Sequence, residues 1–268
     1  MNSLFMKKIF LFLAFALTAS VANAWIKQCD EAVVILAVEH LNPEAKMIVE
    51  KYLGNNYADD IKYLYTLEKE DKATHSEEIH FLHLDKSYKP VKAGSNDAIA
   101  ALEKAMAVVR AHEKQSNKKV VAALRTMIDL MCDIHDLGNI RIKGIEHSYN
   151  DFTYQVPLAE YGKKKDKFSK HKWSESWCNY GGYPRGFSPQ YRAYDMKIYL
   201  GDRYEEYTKG NLRDWAAENG ALAGEWLEIC KPDCTVSYMD RKMMEDVSYT
   251  LLVKSSCRLA ALLNRLTE

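Results

Sequence analysis

Apolar residues return at helical spacing along most of the chain. The stretch EAVVILAVEHL, from Glu31 to Leu41, has the pattern of a largely buried helix, and Pro43 can open a second that runs from Glu44 to Tyr52. Gly54-Asn55-Asn56 interrupts it, and helical spacing resumes at Tyr57 in YADDIKYLYTLEKE. Ile99, Leu102, Ala105, Met106 and Val109 define an amphipathic helix over Asn96 to His112. Val121, Leu124, Met127, Ile128 and Met131 do the same over Lys118 to His135. Two further helices are predicted, Leu212 to Cys230 and Met239 to Leu266, the second packing through Leu251, Leu252, Leu259, Leu262 and Leu263. Between Ile140 and Gln190 the pattern breaks down into Gly, Lys, Ser and aromatic residues, including KKKDK at 163–167 and YGGYPRGFSP at 180–189. Short strands do not alternate with helices and no Gly-rich phosphate loop occurs, which argues against a nucleotide-binding α/β fold. The expectation is a mainly α protein: one compact multi-helix domain with an irregular excursion around 140–190, a usual place for a substrate rim.

The N-terminal end follows a different logic. Lys7 and Lys8 precede the apolar run Ile9 to Leu17, and Ala22-Asn23-Ala24 is a small-residue cleavage motif. That run is short of the roughly 20 apolar residues that span a bilayer. Residues 1–24 therefore read as a cleaved signal peptide and 25–268 as the helical domain, secreted or periplasmic and without a membrane span. The 268 residues suffice for one well-buried core. With 37 basic against 37 acidic side chains, the chain lacks the basic coat of a protein that holds duplex DNA. Loss of Lys7 and Lys8 leaves the remainder slightly acidic. All six cysteines lie beyond the signal segment, and an oxidising compartment makes disulfide bonds the expectation. Cys230 and Cys234, around Lys231-Pro232-Asp233, could close a small loop.

Candidate chemistry concentrates in a few acids and histidines. Asp129 and Asp133 are four apart, hence on one helical face, with Leu130 and Ile134 beside them and Asp136 beyond. Two carboxylates near an apolar interior call for a cation or hydrogen bonds. Asp59 and Asp60 in YADD, and His80 and His83 in EIHFLHLD, are the other candidates. Asp with His suits zinc, whereas all-oxygen surroundings favour magnesium, calcium or manganese. No HExxH, serine elbow or paired-cysteine redox motif is present.

Taken in order, Trp25 at the cleavage point, YADD at 57–60, IHFLHL at 79–84, IDLMCDIHDLGN at 128–139 and SSCRLAALLN at 255–264 resemble the S1/P1 nuclease family. That family consists of secreted, mostly helical enzymes with a trinuclear zinc centre, related in fold to bacterial zinc phospholipase C. The resemblance implies a metal-dependent phosphodiesterase acting as a monomer on single-stranded DNA or RNA. It is weak from about 143 to 190. It implies metal ligands at Trp25, Asp30, Asp59, His80, Asp129, Asp133, Asn139, Tyr191 and Asp195, with Asp59 and Asp133 also catalytic and Asp133 bridging two ions. Asp30, Asp129, Asn139 and Tyr191 stand where the family has histidine. His171 with Glu175 is a rival placement for the pair Tyr191 and Asp195.

Such a ligand set implies fewer than three ions, zinc or a harder divalent ion. Tyr180, Tyr183, Phe187 and Tyr191 offer rings for base stacking, and Lys163 to Lys165 could steer phosphate. Two other readings follow from the same departures: a catalytically inactive binding or scaffold protein, and a lipid phosphodiesterase.

Overall fold

The computed structural model describes residues 27–54, 77–91, 97–159, 167–181 and 187–267. The expected signal segment 1–24, Trp25, Asp59, Asp60, Lys163 to Lys165 and Tyr183 lie outside these residues. The described chain is a compact, mainly α-helical single domain with a small, irregular β excursion.

Its helices begin where capping side chains allow. Helix α1 spans Lys27–Glu39, and α2, Pro43–Leu53, starts at Asn42, whose Oδ1 accepts from Ala45 N at 2.8 Å. Gly54, at φ 79°, ends α2 in a conformation that disfavours residues with a Cβ. Asp97 caps α3 (Ala98–Arg110) and Ser116 caps α4 (Asn117–Asp133), so each starts one or two residues from where apolar spacing alone sets it. Helix α4 gives way at its end to tighter turns, with His135 N donating to Cys132 O. After α5 (Trp173–Gly181), α6 (Pro189–Leu200) and the single turn α7 (Tyr204–Tyr207) come α8 (Leu212–Ile229) and α9 (Tyr238–Asn264). The last two open with reciprocal capping boxes, Asn211 with Asp214 and Ser237 with Asp240.

Helix α9 is the axis of the core. From Leu251 to Leu263 nearly every residue is buried, and α1, α4, α5 and α6 pack around it. A helix enclosed on all sides cannot show a one-sided apolar stripe, and its polar residues must find partners inside. Ser256 Oγ accordingly donates to Val33 O on α1 at 2.8 Å.

Two small sheets complete the fold. Strands β1 (Leu82–Leu84) and β2 (Ile140–Ile142) pair in parallel, Leu82 opposite Ile140 and Leu84 opposite Ile142. The parallel return is made through α3 and α4. Strands β3 (Thr153–Pro157) and β4 (Phe168–Lys172) pair antiparallel. Among its described residues the 140–190 excursion therefore includes β2, β3, β4 and α5, and it contributes to the core through Tyr154, Trp173, Trp177 and Tyr180. Tyr180 is thereby withdrawn from any surface for stacking bases.

The expected disulfide bonds are not formed. None of Cys29, Cys132, Cys230, Cys234 and Cys257, the cysteines whose side chains are described, is bridged. Cys230 turns inward, its Sγ 3.9 Å from Met244 Sδ on α9, while Cys234 Sγ lies 3.6 Å from Ile229 O. The two thiols that looked able to close a loop thus serve different neighbours. No described helix is long and apolar enough to cross a membrane.

Candidate metal centre

Two segments distant in sequence meet at the C-terminal end of α4, one leading into β1 and the other running from α4 into β2. Residues Glu77–His80 form a 3-10 turn that ends at His80, just before β1. A second such turn, Leu137–Asn139, leads into β2. Because β1 and β2 run parallel with Leu82 opposite Ile140, the residues that precede them emerge at the same end of the ribbon. Helix α4, on its way between the strands, brings Asp129 and Asp133 to that end. The ribbon is thus the device that joins His80 to the two acids.

One ligand atom from each of His80, Asp129 and Asp133 falls within a set whose members all lie within 4.8 Å of one another. Among the described residues this is the one group of three such side chains. His80 Nδ1 is 2.8 Å from Asp133 Oδ2 and 3.8 Å from Asp129 Oδ2. A carboxylate oxygen only accepts, so the ring nitrogen donates to Asp133. The other oxygen, Asp133 Oδ1, accepts from Asn139 Nδ2 at 2.9 Å. The side chain of Asp133 is 1% exposed, that of His80 17% and that of Asp129 37%. The group therefore grades from a buried floor to a water-facing edge.

The electrostatics favour a cation. Asp133 is the last residue of α4, where the helix dipole adds partial negative charge to the two carboxylates. Burial raises the carboxyl pKa of Asp136 well above its ordinary value, and the charges of Asp133 and Asp30 raise it further against the opposing hydrogen bond from Gly138 and the Arg141 charge. Burial likewise pushes the Cys132 thiol far up, helped by Asp30, Asp129 and Asp133. Cys132 is accordingly held as a thiol. Two carboxylates and an imidazole, one side open to water, are a fitting donor set for one divalent ion.

The other sequence candidates lie as follows. Asp30, on α1, accepts a hydrogen bond from the Cys132 thiol and lies outside the three-residue group. Asn139 is buried beside Asp133. Asp195, on α6, accepts from the Tyr249 hydroxyl of α9. Tyr191 is 52% exposed, with its ring 4.5 Å from that of Phe187. His83 Nε2 meets Glu78 Oε2 at 3.0 Å. In the rival pair, His171 Nε2 meets Ser169 Oγ at 2.8 Å, while Glu175 forms an ion pair with Lys172 at 3.1 Å. Trp25 and Asp59 fall outside the described residues.

Sequence reasoning missed the parts that hold the site in shape. Asp136 Oδ1 accepts from Gly138 N, and Arg141 Nη1 donates to Gly138 O, both at 2.8 Å. Asn219 Nδ2, on α8, donates to Ile134 O at 2.8 Å. Asp136 carried a signal in its place between two motif residues, but its inward direction depends on a turn that apolar spacing does not reveal. No protein-family model matches the sequence, and no curated protein matches it either.

Proposed function

We propose that the protein is a secreted, monomeric, zinc-dependent phosphodiesterase that cleaves single-stranded DNA or RNA. The observation that carries this reading is the convergence of His80, Asp129 and Asp133 at the end of α4. The order of sequence motifs supplies the reaction class, and the signal-like N-terminus supplies the location. Trp25 and Asp59 belong to the proposed ligand set by resemblance alone. The one-imidazole, two-carboxylate donor set suits zinc and also accepts a harder ion such as manganese.

A divalent ion bound there supplies Lewis acidity toward a phosphoryl oxygen and lowers the pKa of a water molecule. The chain's own residues supply position and charge. Asp133, fixed by His80 and Asn139, anchors the site. Asp129, at the exposed edge, faces arriving water and can accept its proton. His80 ties the β1–β2 ribbon to both acids. Phe187 and Tyr191 present a tilted aromatic pair on which a base can stack.

A catalytically silent binding or scaffold protein is the second reading. It is favoured by the engagement of Asp195 with Tyr249 and the outward position of Tyr191, both implied as ligands by resemblance. Metal-dependent cleavage of single-stranded DNA, RNA and phospholipid by the purified protein separates the readings. Hydrolysis of the nucleic acids is expected, with a loss of more than about 100-fold in Asp133→Ala and full loss with a chelator. Tight metal retention without hydrolysis of any substrate selects the silent reading. Cleavage of phospholipid alone selects a lipid phosphodiesterase.

A further inference from the structure

A carboxylate that bridges two metal ions gives one oxygen to each. Both oxygens of Asp133 have a neighbour at this centre. Its Oδ2 faces His80 Nδ1 at 2.8 Å, and its Oδ1 accepts from Asn139 Nδ2 at 2.9 Å. The amide's orientation is fixed by chemistry, since an acceptor-only carboxylate requires the nitrogen. The His80 imidazole can move its proton to Nε2 and leave Nδ1 as a ligand beside Oδ2, whereas an amide N–H keeps its proton. On Oδ1 the amide therefore occupies a direction that a second ion would take, and turns the positive end of its dipole towards it.

Asn139 cannot easily step aside. It is 4% exposed and ends a turn secured at several points. Its own backbone N donates to Asp136 O at 3.0 Å, and Asp136 Oδ1 and Arg141 Nη1 hold the two sides of the neighbouring Gly138. Helix α5 closes over the turn so tightly that a Cβ on Gly138 would lie 2.8 Å from Ser174 Cα. The side chain is thus delivered to Asp133 by a rigid support, as outer partners of metal ligands commonly are.

The geometry points to Asn139 as a positioning residue that makes the centre mononuclear: it restrains Asp133 to one-oxygen ligation through Oδ2 and blocks a second ion on Oδ1. This inference rests on the reading of His80, Asp129 and Asp133 as a divalent-ion site. It assigns the site a nuclearity below that of the family the sequence resembles, and it gives the asparagine a role of its own rather than that of a lost ligand.

Manganese(II) is a suitable probe, because electron paramagnetic resonance counts unbound ions and detects coupling between two bound ones. The protein as the cell produces it, stripped with a chelator and titrated with Mn²⁺, is expected to take up one tight ion with an uncoupled spectrum. Asn139→Ala should weaken that ion about 10–100-fold by releasing Asp133. Asn139→His, which replaces the donor amide by a ligand, should admit a second ion and produce a coupled spectrum. Two coupled ions in the unaltered protein would overturn the inference and leave the metal site standing. Unchanged affinity in a folded Asn139→Ala variant would also overturn it. No Mn²⁺ uptake would remove both the inference and the site it rests on. The count in the unaltered protein decides the matter even if a variant fails to fold.

Discussion

His135 shows how a single side chain beside the centre is committed. It is fully buried, its Nδ1 donates to Met131 O at 2.8 Å, and its Nε2 accepts from Arg258 Nη1 at 3.1 Å. Arg258 is itself buried and also donates through Nε to Tyr207 O and through Nη2 to Glu218. Protonating Nε2 would set an N–H against a guanidinium with no water to separate them. Burial first, then Arg258, hold the imidazole well below its ordinary pKa of 6.5. Burial also lowers His40 and His171. The unfolded chain therefore takes up protons below pH 6.5 that the folded chain refuses, so stability is full above that pH and is lost as the pH falls towards the folded pKa values. Thermal unfolding between pH 8 and 5 should follow that course. In His135→Gln the acid slope should flatten by about one proton, roughly 1.4 kcal/mol per pH unit, on a protein already weaker at pH 8. An unchanged slope would remove His135 from the account. The sequence revealed this histidine as part of a motif; its partner, 123 residues away, was visible only after folding.

At the scale of elements, the weak point is the seat of the β1–β2 ribbon. Gly220 and Gly224 lie four apart on α8, and the loop that leaves β1 rests against them. A Cβ on Gly220 would fall 2.0 Å from Leu84 Cδ1, and one on Gly224 would fall 2.6 Å from Tyr88 Oη. Leu84 is buried in the core, so its side chain can yield only against packed neighbours. Gly220→Ala would gain roughly 1 kcal/mol of helix propensity but should still destabilise the protein, by about 1–3 kcal/mol from overpacking. Denaturant unfolding measures the sum, and adding Leu84→Val should recover part of the loss. A stabilised Gly220→Ala would show that the ribbon can shift. Helical periodicity and caps made the long helices legible, because they repeat over many residues. The strands LHL and IRI are three residues each, too short for any period, so the ribbon that builds the site left no trace in the pattern.

For the molecule as a whole, the mainly helical class and the single core were legible from apolar spacing, and α9 through its leucines. The regular content of the excursion was not. Only Tyr154 and Val156 alternate with exposed Gln155 there, a signal too brief to stand out among polar neighbours. Disulfide bonding failed as an expectation because compartment and even count speak to opportunity, whereas the inward turn of Cys230 decides the geometry. The site was legible as residue types, while the engagement of Asp195 with Tyr249 depends on how α6 packs against α9, which single-sequence spacing does not encode. The small parallel ribbon also has a consequence for motion. Two such short strands are marginal alone and depend on their surroundings. Lys143 N donates to Leu84 O across the ribbon at 2.9 Å, so this amide exchanges with solvent whenever the ribbon opens. An ion that links His80 to Asp133 fastens the ribbon to α4, and any opening must then release it. At about 100 times the dissociation constant, that release adds roughly 2.7 kcal/mol to the opening. Deuterium uptake at Lys143 should therefore slow about 100-fold when Mn²⁺ is bound, making one backbone amide a gauge of occupancy at a centre it does not touch.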